Sequence, residues 1–140
     1  MCGRVARYLR MCGHNTAYAL DRGVEADEAV LALAESEDRT VVTRDAALAD
    51  RAEAAILLAG REVTDQLREL KAAGVDVTIA ATPAFCGRCN GPLEPVAPNR
   101  TLPDYVPDDL EEDVYRCREC GQLFWRGSHW DDVRATLASL

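Results

Sequence analysis

Two cysteine pairs decide how the second half of this chain folds: Cys86-Gly87-Arg88-Cys89, and Cys117-Arg118-Glu119-Cys120 followed by Gly121-Gln122-Leu123-Phe124-Trp125. Two residues between cysteines is the spacing at which a tight turn directs both sulfur atoms toward one point. Two such turns can close a tetrahedral thiolate site around a metal ion. We therefore predict a structural zinc ribbon whose ligands are Cys86, Cys89, Cys117 and Cys120.

Two disulfides, or a redox Cys-x-x-Cys motif, are the alternatives to zinc. A redox pair needs no second pair, and four cysteines make a closed site without an open catalytic position, so the pattern favours structural zinc. The 27 residues between Cys89 and Cys117 exceed the usual gap, which is about 15–20 residues. The segment 97–113 is rich in proline and acidic residues, and we expect it to accommodate the excess as an exposed loop.

The length of 140 residues allows one ordinary domain, or a smaller domain joined to a metal module. We favour the second arrangement, with an α/β domain at residues 1–80 and a β-rich zinc ribbon with a C-terminal helix at 84–140. No long apolar segment and no cationic-then-apolar signal segment is evident, so we expect a soluble cytoplasmic protein that does not bind membranes. Reduced cysteines fit that compartment.

The net charge of −8 argues against a protein that binds nucleic acid through its overall charge. Positive charge is nevertheless concentrated at one end of the chain. Residues 1–14 contain Arg4, Arg7 and Arg10 and no acidic residue. A local basic patch is therefore compatible with the acidic composition.

Apolar periodicity in the first half predicts alternating helices and strands. A helix should run through residues 4–12 and end at Gly13. The remaining expected elements are strands at 15–20, 40–43 and 55–59, and helices at 25–34, through Leu48 and Ala52, and at 65–73. This alternation predicts a parallel sheet with right-handed crossovers, its strand at 55–59 being buried. We also expect Thr64 to cap the helix that follows it, and Ser128 to open a capping box for a final helix.

The pair Arg44-Asp45 is a candidate for a site because of its position. It follows a strand, and the carboxyl ends of strands are where open α/β sheets place their active sites. Glu25, Asp27 and Glu28 lie in the first turn of a helix. Acidic residues are favoured there by the helix dipole, so structure alone would explain them.

Several motifs together resemble one known family. They are Arg-Val-Ala-Arg-Tyr-Leu-Arg-Met-Cys-Gly-His (4–14), Arg-Thr-Val-Val-Thr-Arg-Asp (39–45), Asp-Gln-Leu (65–67), Cys-Gly-Arg-Cys-Asn-Gly-Pro-Leu (86–93) and Cys-Gly-Gln-Leu-Phe-Trp-Arg-Gly-Ser-His-Trp (120–130). In this order, and over nearly the whole chain, they look like the Mut-seven C-terminal RNase domain family. The cysteine pairs with the aromatic segment after them are the most specific of these motifs.

The resemblance implies a PIN-like nuclease domain fused to a zinc ribbon, with RNA as the substrate. Carboxylates of such domains hold magnesium or manganese, which activates water against an RNA phosphodiester. By position, Asp45 is the strongest candidate ligand and Asp27 the second, while Thr43 would orient the site. Arg44 and the arginines at 4, 7 and 10 would contact phosphate oxygens.

The sequence departs from the family pattern at its beginning. The family usually opens with a short hydrophobic strand that ends in an aspartate, and this sequence begins after it. Ala47 also stands where many related domains have a further acidic residue. We therefore expect the natural product to start a few residues upstream, with such a strand and aspartate.

Three functions follow from these patterns. The first is a metal-dependent RNA hydrolase. The second is a non-catalytic RNA- or ribosome-associated module, in which the ribbon and the arginine patch bind RNA. The third is a structural zinc protein that binds a protein partner through the ribbon. His129 could contact RNA, although a supporting or capping role is favoured for it.

Overall fold

The computed structural model describes residues 3–96 and 114–140, so the loop expected at 97–113 lies outside the described part. The helices and strands follow in the order α1 (Gly3–Met11), α2 (Asp27–Ser36), β1 (Val41–Thr43), α3 (Ala46–Arg51), β2 (Ala55–Leu57), α4 (Val63–Ala72), β3 (Leu93–Pro95), β4 (Tyr115–Cys117), β5 (Leu123–Phe124) and α5 (Ser128–Ala138). Across both described ranges, no helix has the length and apolarity that crossing a membrane demands.

The chain divides into two compact units. The first comprises the described part of Met1–Ala6, Ala17–Val77 and Leu140, and the second comprises Arg7–Thr16 and Thr78–Ser139. We refer to them as the sheet unit and the cysteine unit. They are described separately below.

The sheet unit contains the two predicted parallel strands. β1 pairs with β2 in parallel register, Val41 opposite Ala55 and Thr43 opposite Leu57, and α3 connects them. The expectation of a mixed α/β fold with a parallel sheet is thus confirmed. Buried apolar side chains of this unit come from its helices, β1 and the segments after β2 and α4: Val5, Val41, Leu48, Leu58, Leu67, Leu70 and Val77.

Two expectations about the sheet were wrong. The segment 15–20 is not a strand, because a 3-10 helix begins at Ala19 and ends at Arg22. Gly23, with a left-handed φ of 69°, closes this helix through backbone bonds to the carbonyls of Ala19 and Leu20. The strand β2 is not buried either, since Leu57 is 50% exposed. Among the described strands β2 pairs with β1 alone.

The predicted end of α1 at Gly13 is confirmed. Gly13 has a φ of 87°, and the N–H groups of Gly13 and His14 bond to the carbonyls of Arg10 and Leu9. This pairing satisfies the last carbonyls of α1 in a Schellman motif, which needs the left-handed backbone that glycine adopts without strain. Gly74 ends α4 in the same way, with a φ of 95°.

The predicted helix starts were less accurate. The N-cap of α4 is Glu62 and that of α5 is Gly127. Both helices therefore begin one or two residues earlier than expected. Thr64 and Ser128 lie inside the first turn, where they cannot act as N-caps.

The cysteine unit contains an antiparallel sheet in the order β3-β4-β5. Leu93 pairs with Cys117 in β4, and Tyr115 pairs with Phe124 in β5. A bridge between Phe85 and Pro92 forms a further hairpin around the first cysteine pair. The expectation of a small β-rich module followed by a C-terminal helix is thereby confirmed.

Candidate functional site

The two cysteine turns have the same backbone geometry. In the first turn, Cys86 N–H bonds to the Gly91 carbonyl at 2.8 Å, and Asn90 N–H bonds to the Cys86 carbonyl at 2.8 Å. In the second, the equivalent bonds run from Cys117 N–H to Gln122 at 2.9 Å and from Gly121 N–H to Cys117 at 3.0 Å. The residue after each pair is left-handed, with φ 70° at Asn90 and 78° at Gly121. Asparagine and glycine are the residues that adopt this backbone most readily.

The four sulfur atoms of these turns lie within 4.8 Å of one another. Cys86 Sγ is 3.7 Å from Cys120 Sγ, and Cys89 Sγ is 3.5 Å from Cys117 Sγ. Zinc–sulfur bonds of about 2.3 Å in a tetrahedron require sulfur atoms about 3.8 Å apart. The described cysteines are free thiols, and both distances far exceed the roughly 2.05 Å of a disulfide. The cluster therefore fits a metal ion and is consistent with zinc.

Backbone N–H groups surround the sulfur atoms. Four such groups donate to sulfur at 3.4 Å, from Arg88 to Cys86, from Gly91 to Cys89, and from Glu119 and Cys120 to Cys117. Hydrogen bonds to a thiolate stabilise its charged form. The turns therefore supply the partial positive charge that a cluster of four thiolates requires.

The thiols differ in their tendency to ionise. Burial raises the pKa of Cys86 to about 12, and burial also raises the pKa of Cys89. Burial acts in the same direction on Cys117, but hydrogen bonds from the N–H groups of Cys120 and Glu119 and from the side chains of Cys89 and Cys120 together lower the pKa of Cys117 to about 7. A metal ion at this cluster displaces the remaining thiol protons, so its affinity falls as the pH falls.

Gly91 is required beside the cluster for steric reasons. A Cβ atom at this position would lie 2.7 Å from Cys117 Sγ and 3.1 Å from Glu119 Cβ. The backbone of the first turn thus passes directly against a sulfur of the second. A metal ion held by all four cysteines would have no open coordination position, which is the arrangement of a structural site.

The predicted acidic site lies in the sheet unit, at the carboxyl end of β1. Asp45 is the N-cap of α3, and its Oδ1 accepts bonds from Ala47 N–H at 3.0 Å and Leu48 N–H at 3.2 Å. Its own N–H donates to Thr43 Oγ1 at 3.1 Å. Both capping bonds go to Oδ1, so Oδ2 of this exposed carboxylate is not used in the cap.

A family model for the Mut7-C RNAse domain matches residues 1–137. The chain belongs to the Mut7-C RNAse domain family. This is the family that the sequence motifs resemble, and the resemblance is confirmed over nearly the whole chain. No curated protein and no solved structure matches the chain.

Asp27, the second predicted acid of this Mut7-C RNAse domain, begins α2 and is half-buried. Its neighbour Glu28 pairs with Arg51 of α3 at 3.2 Å. This ion pair joins the first turn of α2 to the helix that Asp45 caps. In the part of the chain that the structure describes, however, only the four cysteines form a compact group of three or more metal-ligating side chains.

Sequence reasoning missed a third carboxylate near the same sheet edge. Glu69 of α4 accepts bonds from Ala59 N–H at 2.8 Å and Gly60 N–H at 3.1 Å. These N–H groups lie two and three residues past the end of β2, so Glu69 binds the backbone of the segment that follows that strand. The sequence signal for Glu69 was its position as an acidic residue between two leucines of a predicted helix, Leu67 and Leu70.

The arginines predicted to contact RNA differ in their surroundings. Arg4, Arg7 and Arg44 are exposed. Arg10 is only 4% exposed, and it donates from Nε to the Thr16 carbonyl at 2.8 Å and from Nη1 to the Gly87 carbonyl at 3.0 Å. Its guanidinium is therefore occupied by carbonyl groups of the cysteine unit, and this gives it a structural role.

Proposed function

We propose that this Mut7-C RNAse domain is a ribonuclease that hydrolyses RNA phosphodiester bonds with the help of magnesium or manganese. The family match over residues 1–137 is the observation that carries the proposal. In this reading the sheet unit has the role of a PIN-like nuclease domain. The cysteine unit contains a structural zinc ion and provides a surface for RNA.

The residues at the end of β1 fit the divalent cation. Magnesium and manganese prefer carboxylate oxygens, and magnesium is commonly held by one or two carboxylates together with substrate phosphates. Asp45 offers an exposed carboxylate whose position is fixed by bonds to Oδ1. When bound there, the ion would supply an activated water and neutralise phosphate charge.

The side chains have separate roles in this proposal. Asp45 would hold the cation, together with Asp27 in the first turn of α2. Thr43 positions Asp45 by accepting its backbone N–H. Arg44 is exposed, and its planar guanidinium suits the phosphate oxygens of the substrate.

The cysteine cluster is proposed to hold zinc. Thiolate ligands in a tetrahedral set select zinc or iron–sulfur clusters among biological metals, and the sulfur spacing matches a single ion. With four thiolates the ion has no position for water or substrate. We therefore assign it the stabilisation of the cysteine unit and no part in hydrolysis.

A catalytically inactive RNA-binding module is the second candidate. The observation that favours it is the use of Asp45 as a helix cap, together with the lack, among the described residues, of a compact group of three acidic side chains. In that case the acids serve the fold, and RNA is bound but not cut.

Cleavage by the zinc-loaded chain distinguishes these candidates. Single-stranded and structured RNA would be incubated with and without manganese, using the wild type, Asp45→Asn and Asp27→Asn. Asp50→Asn is the matched control, because Asp50 is an exposed acid of the same helix α3.

We expect manganese-dependent cleavage that falls by more than about a hundredfold in Asp45→Asn, since metal stabilisation of the transition state amounts to several kcal/mol. Asp50→Asn should cleave like the wild type. RNA that is bound but never cut, with any divalent cation, would favour the binding module. Equal cleavage by wild type and Asp45→Asn would contradict the assigned role of that carboxylate.

A further inference from the structure

A cavity of about 350 Å³ lies within the cysteine unit. Its walls come from α1, both cysteine hairpins and α5. Both tryptophans and both phenylalanines of the chain contribute to its lining: Phe85, Phe124, Trp125 and Trp130. Its volume is near the lower end of the range of about 300–1,000 Å³ for pockets that hold small molecules. Such a space admits one base with its sugar and excludes a duplex.

The polar side chains of the cavity lining include three arginines. Arg7, Arg88 and His129 are exposed residues of the lining, and Arg10 is buried in its wall. Among the residues that the structure describes, none that lines the cavity is acidic, although the chain as a whole has 24 acidic and 16 basic residues. The arginines of the cavity therefore favour an anionic ligand, in a chain whose net charge is −8.

The aromatic walls are held in place by their neighbours. A Cβ atom on Gly127 would lie 2.7 Å from Trp125 Nε1, so the indole lies directly against the glycine backbone. The guanidinium of Arg126 lies 5.8 Å from the ring centroid of Trp130, and it also donates to the Ala81 carbonyl. These contacts restrict the rings before any ligand arrives, which reduces the entropy cost of binding.

We propose that this cavity binds one unpaired nucleobase of an RNA strand. The base stacks on the aromatic walls, and Arg7, Arg88 and His129 contact the adjoining phosphates. Aromatic faces combined with basic groups along the backbone are the means by which proteins hold single strands. The choice of RNA as ligand rests on the proposed function. The cavity would add a binding subsite in the cysteine unit to the cleavage site proposed in the sheet unit.

Binding without divalent cations tests this proposal separately from cleavage. Fluorescein-labelled hexauridylate, hexaadenylate and a blunt RNA duplex would be titrated with zinc-loaded chain over a series of salt concentrations. The variants are Trp125→Ala, Trp125→Phe, Arg88→Ala and Arg118→Ala. Arg118 is the matched control, because it is an exposed arginine of the other cysteine turn and does not line the cavity.

We expect the hexamers to bind more tightly than the duplex and to quench tryptophan fluorescence. Trp125→Ala should weaken hexamer binding roughly tenfold to a hundredfold, the usual effect of losing one stacking platform, and Trp125→Phe should retain most of it. Arg88→Ala should lower the salt slope by about 0.7, the value for one lost phosphate contact on a single strand. Arg118→Ala should leave affinity and slope unchanged.

Hexamer binding that is identical in wild type, Trp125→Ala and Arg88→Ala would overturn this subsite and leave the proposed nuclease untouched. No hexamer binding at low salt would also overturn it, and would favour a protein as the occupant of the cavity. Manganese-dependent cleavage of the same RNA then decides the proposed function independently. Because Arg88 is exposed, its variant keeps the test decisive even if Trp125→Ala fails to fold.

Discussion

Replacing Arg10 by methionine should destabilise the protein strongly. Methionine keeps much of the apolar stem and removes the guanidinium, which donates to Thr16 at 2.8 Å and to Gly87 at 3.0 Å. Hydrogen bonds to charged groups contribute about 1.5–3 kcal/mol each, so two of them amount to roughly 3–6 kcal/mol. Removing the guanidinium also removes the cost of burying a cation, and this gain offsets part of the lost hydrogen-bond energy. We expect the free energy of unfolding to fall by about 2–4 kcal/mol.

The assay is urea unfolding of zinc-loaded protein, followed by far-ultraviolet circular dichroism. Arg7→Met is the matched control, because Arg7 lies one turn earlier on α1 and is exposed. Surface substitutions usually change stability by less than about 0.5 kcal/mol. Equal unfolding midpoints for the Arg10 and Arg7 variants would refute the structural role assigned to Arg10.

Three further predictions concern other parts of the chain. Gly91→Ala should weaken zinc binding about 10–100-fold in a competition with a chromogenic chelator, because the new Cβ would lie 2.7 Å from Cys117 Sγ. Gly87→Ala is the control and should bind zinc normally, because its Cβ would lie 3.4 Å from the nearest atom. Asp45→Ala should lower stability by about 1 kcal/mol through loss of the helix cap, whereas Asp45→Asn keeps a capping oxygen and should unfold like the wild type in urea. Hydrogen bonds from two arginines lower the pKa of Glu37. The ion pairs of Glu37 therefore stabilise the fold above its ordinary pKa of about 4.5, and this stabilisation is lost as the pH falls through the lowered pKa. The difference in stability between wild type and Glu37→Gln should be present at pH 7 and vanish in acid.

Features with a local chemical cause could be predicted from the sequence. The cysteine turns follow from spacing, because two residues between cysteines direct both sulfur atoms to one side. The ends of α1 and α4 follow from Gly13 and Gly74, since a left-handed residue is needed where a helix closes in this way. The parallel pairing of β1 with β2 follows from β-branched and apolar runs joined by a short helix.

Features that depend on distant partners could not be predicted. The arginines at positions 4, 7 and 10 look alike in sequence, yet Arg10 is buried and donates a hydrogen bond to a carbonyl 77 residues away, at Gly87. Glu69 binds the backbone of the segment after β2 from a helix that follows it, and nothing in its immediate sequence indicates this. The segment 15–20 has strand-like composition, but its last two residues begin a 3-10 helix, which Gly23 closes through local backbone hydrogen bonds.

The four-cysteine zinc site is tested most directly by X-ray absorption at the zinc edge, combined with metal analysis of the purified full chain. We predict one zinc per chain with four sulfur neighbours at about 2.3 Å and no nitrogen or oxygen ligand. A zinc shell that includes nitrogen or oxygen would contradict the assignment of Cys86, Cys89, Cys117 and Cys120. Metal-free protein in which all six cysteines titrate as free thiols in the folded state would contradict it as well.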